Sequence, residues 1–287
     1  MKTILIPTDF SGNAKNAARY VLKMYRKEAC HFIFLHSYKV QGYQQGSKLS
    51  PIPDPTSLKN AQLEAEEKLE NFKRSVIGKA TIKDNRYSAI AFNVPLIQTI
   101  QTQIGKKAID LVVIGTQGIT EAYEVVYGSN TINIMEEIQN CPVLAVPNHV
   151  RFKSLKEIVL VNGFKLKAKP QDLRFLKGLA ASQGASIRVL HIAEEGGLSD
   201  TQKKNREELR KQLNDVRNSF HSLEYLSIPL GIYSFTESRG SQLIAFINKK
   251  HSFIENLLFN PLYKNLGHYS KVPILVLHQP MIPQSKK

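Results

Sequence analysis

The sequence predicts an α/β protein that consists of two tandem, doubly wound parallel-sheet domains, the second of them abbreviated. Three observations support this prediction. Short, almost continuously apolar segments alternate with amphipathic segments in the first half. The second half repeats several of these apolar segments in the same order. The length of 287 residues also suits two domains of about 140 residues each, and we place them at residues 1–150 and 151–287.

Five apolar segments of the first half are predicted strands, because runs without polar alternation are typical of strands buried on both faces. They cover residues 3–8, 31–37, 81–92, 110–114 and 142–147. Between them, apolar residues at helical spacing predict helices that begin near Ser11, Pro55, Pro95 and Thr131. Residues 38–55 show no periodicity, so we predict a long exposed loop there.

The second half follows the first with an offset that decreases along the chain. His191 corresponds to His36 at an offset of 155 residues, whereas Pro273 corresponds to Pro142 at an offset of 131. The second copy has therefore lost about as many residues as one secondary-structure element contains. Aligning residues 242–247 with the strand that begins at Asp110 places this loss upstream of residue 242. The alternative is that residues 241–250 form a helix, since their apolar residues also fit helical spacing.

A glycine-bearing loop follows the predicted strand at residues 110–114. Gly115 and Gly118 stand at its start, and Gly128-Ser129-Asn130 follows after nine intervening residues, just before a predicted helix. Glycine lets backbone N–H groups approach an anion closely, and a helix N-terminus offers unpaired donors. The pattern is typical of a phosphate-binding loop; the alternative is that the glycines only make turns.

Composition excludes several classes of protein. No apolar run approaches the ~18 residues of a membrane span, and the N-terminus lacks a signal peptide, so we expect a cytoplasmic protein without a membrane partner. Cys30 and Cys141 have no metal-binding or disulfide spacing, and we interpret them as small buried hydrophobes. The net charge is +15, of which +4 falls in residues 1–150 and +11 in residues 151–287. No nucleic-acid motif accompanies this charge, so we interpret it as a solvated basic surface.

Three motifs in this order resemble those of the universal stress protein family. They are the glycine pattern Gly115-x2-Gly118-x9-Gly128-Ser129, the opening strand and turn at residues 6–11, and the pair Leu35-His36 at the end of the second strand. The resemblance covers the whole chain as a tandem pair. It implies the Rossmann-like fold of the adenine nucleotide alpha hydrolases.

The resemblance also implies that the first domain binds ATP or a related adenine nucleotide. Asp9 and the backbone of Ser37 would hold the adenosine end, and the glycine loop would hold ribose and phosphates. The predicted nucleotide-binding residues are Pro7, Thr8, Asp9, Ser37, Ile114, Gly115, Thr116, Gly118, Gly128, Ser129 and Asn130. We assign no catalytic residue, and we expect His36 and His191 to be packed structural residues.

The chain departs from the family pattern at two places. Between the first two glycines it has Thr116-Gln117 in place of a small residue and a histidine. Glu121 and Glu124 lie in the segment that should cover the phosphates, which they would repel unless a cation such as Mg²⁺ lies between.

The second copy has lost every element of the predicted site. Under the favoured alignment Asp9 becomes Gly163, Gly115 becomes Ile247, Gly118 becomes Lys250, Gly128 becomes Asn260 and Ser129 becomes Pro261. The second domain is therefore expected to be a structural partner in a pseudo-dimer, paired with the first through the fifth strands, Val143–Val146 and residues 274–277. Association of two chains into a homodimer stays open.

The sequence thus predicts a stress-response regulator that binds an adenine nucleotide. Two alternatives remain at this point. One is a slow Mg²⁺-dependent ATPase, for which no general base can be assigned. The other is a ligand-free interaction module whose basic second half recruits an acidic partner.

Overall fold

The computed structural model describes residues 1–40, 55–78, 84–116, 129–193, 196–248 and 272–278. In the first half the strands are β1 (Lys2–Pro7), β2 (Cys30–Ser37), β3 (Arg86–Phe92), β4 (Leu111–Gly115) and β5 (Val143–Val146), and the helices are α1 (Gly12–Met24), α2 (Pro55–Ile77), α3 (Leu96–Lys106) and α4 (Ser129–Glu137). In the second half the strands are β6 (Glu157–Val161), β7 (Ser186–Ile192), β8 (Asn218–Leu223), β9 (Leu243–Asn248) and β10 (Ile274–His278), and the helices are α5 (Pro170–Gln183), α6 (Asp200–Gln212) and α7 (Ile228–Arg239).

All ten strands form one sheet in the order β3-β2-β1-β4-β5-β10-β9-β6-β7-β8. Every pairing is parallel except that of β5 with β10, which is antiparallel with Leu144 opposite Leu275. The α/β class with doubly wound parallel sheets is therefore confirmed. The two strands expected to join the halves are the two that pair at the centre of the sheet.

Strand registers are the same in the two halves. Ile4 of β1 pairs with Leu111 of β4, and Ile158 of β6 pairs with Leu243 of β9. Leu243 therefore occupies the position in the second half that Leu111 occupies in the first, as the favoured alignment predicted. The helical alternative for residues 241–250 is wrong, since residues 243–248 form β9.

The shortening of the second half removes no strand or helix upstream of β9. The connection from β2 to α2 takes residues 38–54, whereas the connection from β7 to α6 takes residues 193–199. Helix α2 has 23 residues and α6 has 13. The loss predicted upstream of residue 242 is therefore spread over a loop and a helix. Most of the loop predicted at residues 38–55 lies outside the described residues.

Helices cover both faces of the sheet because successive strand residues point to opposite faces. On one face Ile4 and Ile6 contribute to a core with α1, α2, α5 and α6. On the other face Leu5 contributes to a core with α3, α4 and α7.

Cys30 and Cys141 are fully buried free thiols, one in each core, as predicted. Burial raises the pKa of Cys30 to about 11 and that of Cys141 to about 12. None of the described helices is both long and apolar enough to cross a membrane.

Helix α1 holds the segment that connects the two halves. The buried side chain of Asn16 donates to the carbonyl oxygens of Pro147 and Val150, each at 2.9 Å, and accepts a hydrogen bond from Arg151. Nearby, the rings of Tyr20 and Phe152 pack edge to face at 5.2 Å. One buried amide side chain therefore makes three hydrogen bonds to the chain that leaves the first half.

Asn16→Ala is expected to lower the free energy of unfolding by about 2 kcal/mol, because it removes the three hydrogen bonds of a buried amide, to Pro147, Val150 and Arg151. Urea unfolding followed by circular dichroism measures this change. Asn13→Ala on the same helix is the matched control, with an expected change within about 0.5 kcal/mol. Equal effects of the two variants would contradict the role given to Asn16.

Candidate functional site

A cleft of about 630 Å³ opens at the carboxyl edge of the sheet, between β1 and β4. From β1 the chain winds outward to β2 and β3, and it then returns to β4 on the other side of β1. Ligands of doubly wound sheets bind at this reversal point, because the loops there separate and leave a crevice. The cleft is lined by Pro7, Thr8, Asp9, Ser11, Asn13, Ala14, His36, Ser37, Lys39, Pro95, Leu96, Ile97, Ile114, Gly115, Thr116, Asn130 and Thr131.

The turn after β1 places an exposed carboxylate at the cleft. The Oδ1 atom of Asp9 accepts a hydrogen bond from the backbone N–H of Ser11 at 3.0 Å. Ser11 is the N-cap of α1, as predicted, and its hydroxyl accepts from the N–H of Ala14 at 3.2 Å. Phe10 adopts a positive φ of 68°, which turns the chain sharply between strand and helix. Asp9 is therefore fixed by the turn and is not itself the helix cap.

His36 ties the second strand to this turn. Its Nδ1 lies 2.8 Å from the carbonyl oxygen of Thr8 and donates to it, since a carbonyl oxygen only accepts. The imidazole packs on the ring of Phe10 at 4.3 Å. His191 repeats both contacts in the second half, with Nδ1 at 3.2 Å from the carbonyl oxygen of Asn162 and its ring 5.2 Å from Phe164. The structural role predicted for both histidines agrees with these contacts, although His36 also lines the cleft.

Gly115 ends β4 where α1 begins. A Cβ atom at this position would lie 2.6 Å from the carbonyl oxygen of Asn13, far inside van der Waals contact. Thr131 of α4 donates through its hydroxyl to the carbonyl oxygen of Gly115 at 3.1 Å. The N–H of Thr116 donates to the carbonyl oxygen of Val146. The missing side chain at Gly115 thus lets α1 start against the end of β4, a packing role that the phosphate-loop interpretation did not include.

The second half shows what replaces this arrangement. Ile247 stands at the position of Gly115, in register with Leu277 of β10, and it packs against the core. Helix α5 begins at Pro170 after the connection formed by residues 162–169, whereas α1 begins at Gly12 after residues 8–11. Helix α5 therefore begins further along the chain from its strand than α1 does.

Most of the predicted nucleotide-binding residues meet in one place. Pro7, Thr8, Asp9, Ser37, Ile114, Gly115, Thr116 and Asn130 all line the cleft. Ser129 begins α4 beside it. Gly118 and Gly128 lie outside the described residues, as do Glu121 and Glu124.

Several lining residues were missed by the sequence interpretation. They come from the start of α1, the chain after β2 and the start of α3: Ser11, Asn13, Ala14, Lys39, Pro95, Leu96 and Ile97. Each follows the carboxyl end of a predicted strand by a few residues. This position was a usable signal, since parallel strands of one sheet end at the same edge.

The charges and surfaces of the cleft suit an anion attached to an apolar ring. Helices α1 and α4 both begin at the cleft, and a helix N-terminus carries a partial positive charge with unpaired N–H donors. The exposed ammonium of Lys39 adds a full positive charge. Pro95, Leu96 and Ile97 form an apolar wall. Among the described residues no group of three or more His, Cys, Asp or Glu side chains could hold a metal ion.

Hydroxyl groups join the end of β2 to the start of α3 beside the cleft. Both Ser37 and Thr99 donate through their hydroxyls to the carbonyl oxygen of Val94, Thr99 at 3.2 Å. The backbone N–H of Tyr38 donates to the carbonyl oxygen of Phe92 at 2.9 Å. This corner is therefore polar and fully connected in the first half.

Solved structures similar to this chain share its whole architecture. A universal stress protein from Archaeoglobus fulgidus DSM 4304 matches with a TM-score of 0.67 at 16% identity, over 96% of this chain and 98% of that chain. A putative universal stress protein from Pseudomonas aeruginosa UCBPP-PA14 matches with a TM-score of 0.56 at 14% identity, over 97% and 93%. At such identities the likeness shows the fold alone.

Comparison at the level of sequence locates the family signal in the first half. Curated proteins returned no match. The model of the universal stress protein family matches residues 1–147, which contain the whole of the cleft. Because that match spans half of the sequence and the fold agrees over 96% of the chain, the chain belongs to the universal stress protein family.

Proposed function

We propose that the cleft between β1 and β4 binds ATP or a related adenine nucleotide and that the protein acts as a stress-response regulator. The observation that carries this proposal is the position of the cleft at the reversal point of the sheet, with two helix N-termini and Lys39 beside an apolar wall. Membership of the universal stress protein family supports it. Regulation by binding requires no nucleophile or general base, and we assign no catalytic residue.

The chemistry of the cleft suggests how the nucleotide lies. The adenine ring packs against Pro95, Leu96 and Ile97, near the backbone of Ser37. The carboxylate of Asp9, already oriented by the N–H of Ser11, accepts hydrogen bonds from ribose hydroxyls. The phosphates lie towards the N-termini of α1 and α4. A bound Mg²⁺ would offset the negative charges of Glu121 and Glu124, which the sequence places between Gly115 and Asn130.

The second half fits the role of a structural partner. We propose domains at residues 1–150 and 151–287 that form a pseudo-dimer within one chain, in the cytoplasm. The antiparallel pairing of β5 with β10 supports this, since it gives one edge strand of each half a partner and leaves neither exposed. Clamping of the connecting segment by Asn16 supports it as well.

Lys39→Glu is expected to weaken ATP binding by about tenfold or more, because it replaces a positive charge of the cleft, which attracts the nucleotide's phosphates, by a negative charge that repels them. Isothermal titration calorimetry measures the change. Lys153→Glu is the matched control, with the same change in net charge at an exposed residue away from the cleft. The proposal fails if the unmodified protein takes up no adenine nucleotide, or if the two variants weaken binding equally.

A further inference from the structure

A second cavity, of about 590 Å³, lies at the carboxyl edge of the second half. It is bounded by the ends of β7 and β8 and by the start of α7. Among its lining residues are Ile192, Ala193, Gly197, Glu224, Tyr225 and Ser227. Its volume is close to that of the first cleft, although the second half has no glycine at the position of Gly115.

Strand register identifies this cavity as the counterpart of one end of the first cleft. His191 of β7 pairs with Ser222 of β8, as His36 of β2 pairs with Ala91 of β3. Ile192 therefore occupies the position of Ser37, and Ala193 that of Tyr38. The N–H of Ala193 donates to the carbonyl oxygen of Leu223, which repeats the bond of Tyr38 to Phe92. The cavity thus corresponds to the end that holds Ser37 and the start of α3, away from β6 and β9.

Behind this cavity an aliphatic contact replaces the hydroxyl groups found at the corresponding place in the first half. In place of the hydroxyls of Ser37 and Thr99, the second half has Ile192 and Gly231. A Cβ on Gly231 would lie 2.5 Å from Cδ1 of Ile192, so the glycine gives the isoleucine room to pack against α7. The exchange removes two hydrogen-bonding groups and leaves an aliphatic surface behind the cavity.

Tyr225 stands at the mouth of the cavity, and the residue is 96% exposed. Residues 224–226 connect β8 to the N-cap Ser227, one residue more than residues 93–94 between β3 and the N-cap Pro95. Tyr225 takes a φ of 59°, which is rare for a residue with a side chain. An aromatic ring that is exposed to this degree beside a cavity is available to stack on a flat ligand.

The one charged side chain among the described lining residues of the cavity disfavours a ligand with phosphates. Glu224 is the one ionisable acid or base among the described lining residues apart from the phenol of Tyr225, and its carboxylate would repel an anion. The same carboxylate accepts hydrogen bonds from amino or hydroxyl groups. The hydroxyl of Ser227 makes no hydrogen bond to the helix that it begins. The residues present therefore offer one aromatic face, an aliphatic wall and two groups able to accept hydrogen bonds.

We propose that the second half carries a binding site of its own, between Tyr225 and Ile192, for a flat heteroaromatic molecule that bears hydrogen-bond donors and no phosphate, as a nucleoside does. Tyr225 stacks on the ring, Ile192 and Ala193 contact its other side, and Glu224 accepts from its hydroxyl or amino groups. The site is independent of ATP binding in the first half, because it lies at the far end of the sheet order.

Tyr225→Trp provides a reporter, since the sequence contains no tryptophan. Adenosine is expected to quench the fluorescence of this single tryptophan along a saturating curve. The concentration that gives half of the maximal quenching should be at least about tenfold lower for adenosine than for ATP. Adenosine that binds in the first cleft leaves the reporter unchanged. If adenosine quenches the reporter but calorimetry shows no ATP binding, the proposed function is wrong and this site is kept. If ATP binds but adenosine does not quench the reporter along a saturating curve, this site is wrong and the proposed function is kept.

Ala193→Phe in the reporter background is the control, because it fills the cavity behind the ring. It is expected to abolish saturation and leave only the linear quenching of a free collision. Glu224→Gln, which keeps the shape of the side chain, is expected to reduce the difference between the half-saturating concentrations of ATP and adenosine. Linear quenching by adenosine in the reporter protein itself would overturn the proposal, and so would equal half-saturation by ATP and adenosine before Glu224 is changed.

Discussion

Glu157→Ala is expected to lower the free energy of unfolding by about 3 kcal/mol, because it leaves two arginines close together without their shared carboxylate. The Oε2 atom of Glu157 accepts from Nε of Arg188 at 2.7 Å and from Nη2 of Arg239 at 3.0 Å. Its Oε1 atom accepts from Nε of Arg239 at 2.6 Å and from the hydroxyl of Ser241 at 2.8 Å. The side chain is only 13% exposed, so water screens these contacts weakly.

The effect of Glu157 is also expected to depend on pH. The hydrogen bond from Arg239, with those from Arg188 and Ser241, lowers the pKa of Glu157 to about 2 against the opposing effect of burial. An unfolded chain has the ordinary value of 4.5. Since the folded pKa is the lower one, the stabilisation is complete above pH 4.5 and is lost as the pH falls towards 2.

Urea unfolding at pH 7 and at pH 3 measures both expectations. The difference between the unmodified protein and Glu157→Ala should be largest at pH 7 and smaller at pH 3. Glu207→Ala is the control, since its ion pair with Arg210 is exposed at both partners and should contribute less than about 1 kcal/mol. A pH-independent difference for Glu157→Ala would show that the charge is not the source of the stabilisation.

Gly115→Ala is the second change with a large expected effect. The new Cβ would lie 2.6 Å from the carbonyl oxygen and 2.7 Å from the carbonyl carbon of Asn13, both backbone atoms that cannot rotate away. We expect a loss of about 2 kcal/mol in the free energy of unfolding, together with weaker ATP binding because the start of α1 must move. Thermal unfolding and calorimetry measure the two effects.

Gly105→Ala is the matched control for that change. Gly105 lies in α3 with nothing within 4 Å of a Cβ and without a positive φ. Alanine there is expected to be neutral or to stabilise the helix by up to about 1 kcal/mol. If the protein tolerated alanine equally well at both positions, the packing role of Gly115 would be wrong.

Much of the fold follows from local features of the sequence. The run of apolar residues at Ile4, Leu5 and Ile6 predicted a strand buried on both faces, and these residues do contribute to the cores on opposite sides of the sheet. The repeat predicted the register of β9 even though its residues also fit a helix. Burial by neighbouring strands on both sides decided between the two, and that is a property of the whole sheet rather than of the segment.

Parts of the site depend on contacts between distant residues. The sequence placed Asp9 and Gly115 in one site only through a family resemblance, because nothing local to either residue points to the other. It did not predict that Gly115 abuts Asn13, or that Lys39 and the start of α3 line the cleft. Nor did it predict the cluster around Glu157, whose partners Arg188 and Arg239 lie on β7 and at the end of α7. Each of these contacts exists only once the sheet has assembled.

The stoichiometry of ATP binding tests the central claim most directly, namely that the chain repeats the fold but carries one nucleotide site. Calorimetric titration is predicted to give one ATP per chain. Asp9→Ala should reduce ATP binding strongly. Gly163→Ala, which introduces alanine at the equivalent position of the second half, should leave it unchanged. Two ATP molecules per chain, or binding that is lost with Gly163→Ala and kept with Asp9→Ala, would contradict the account.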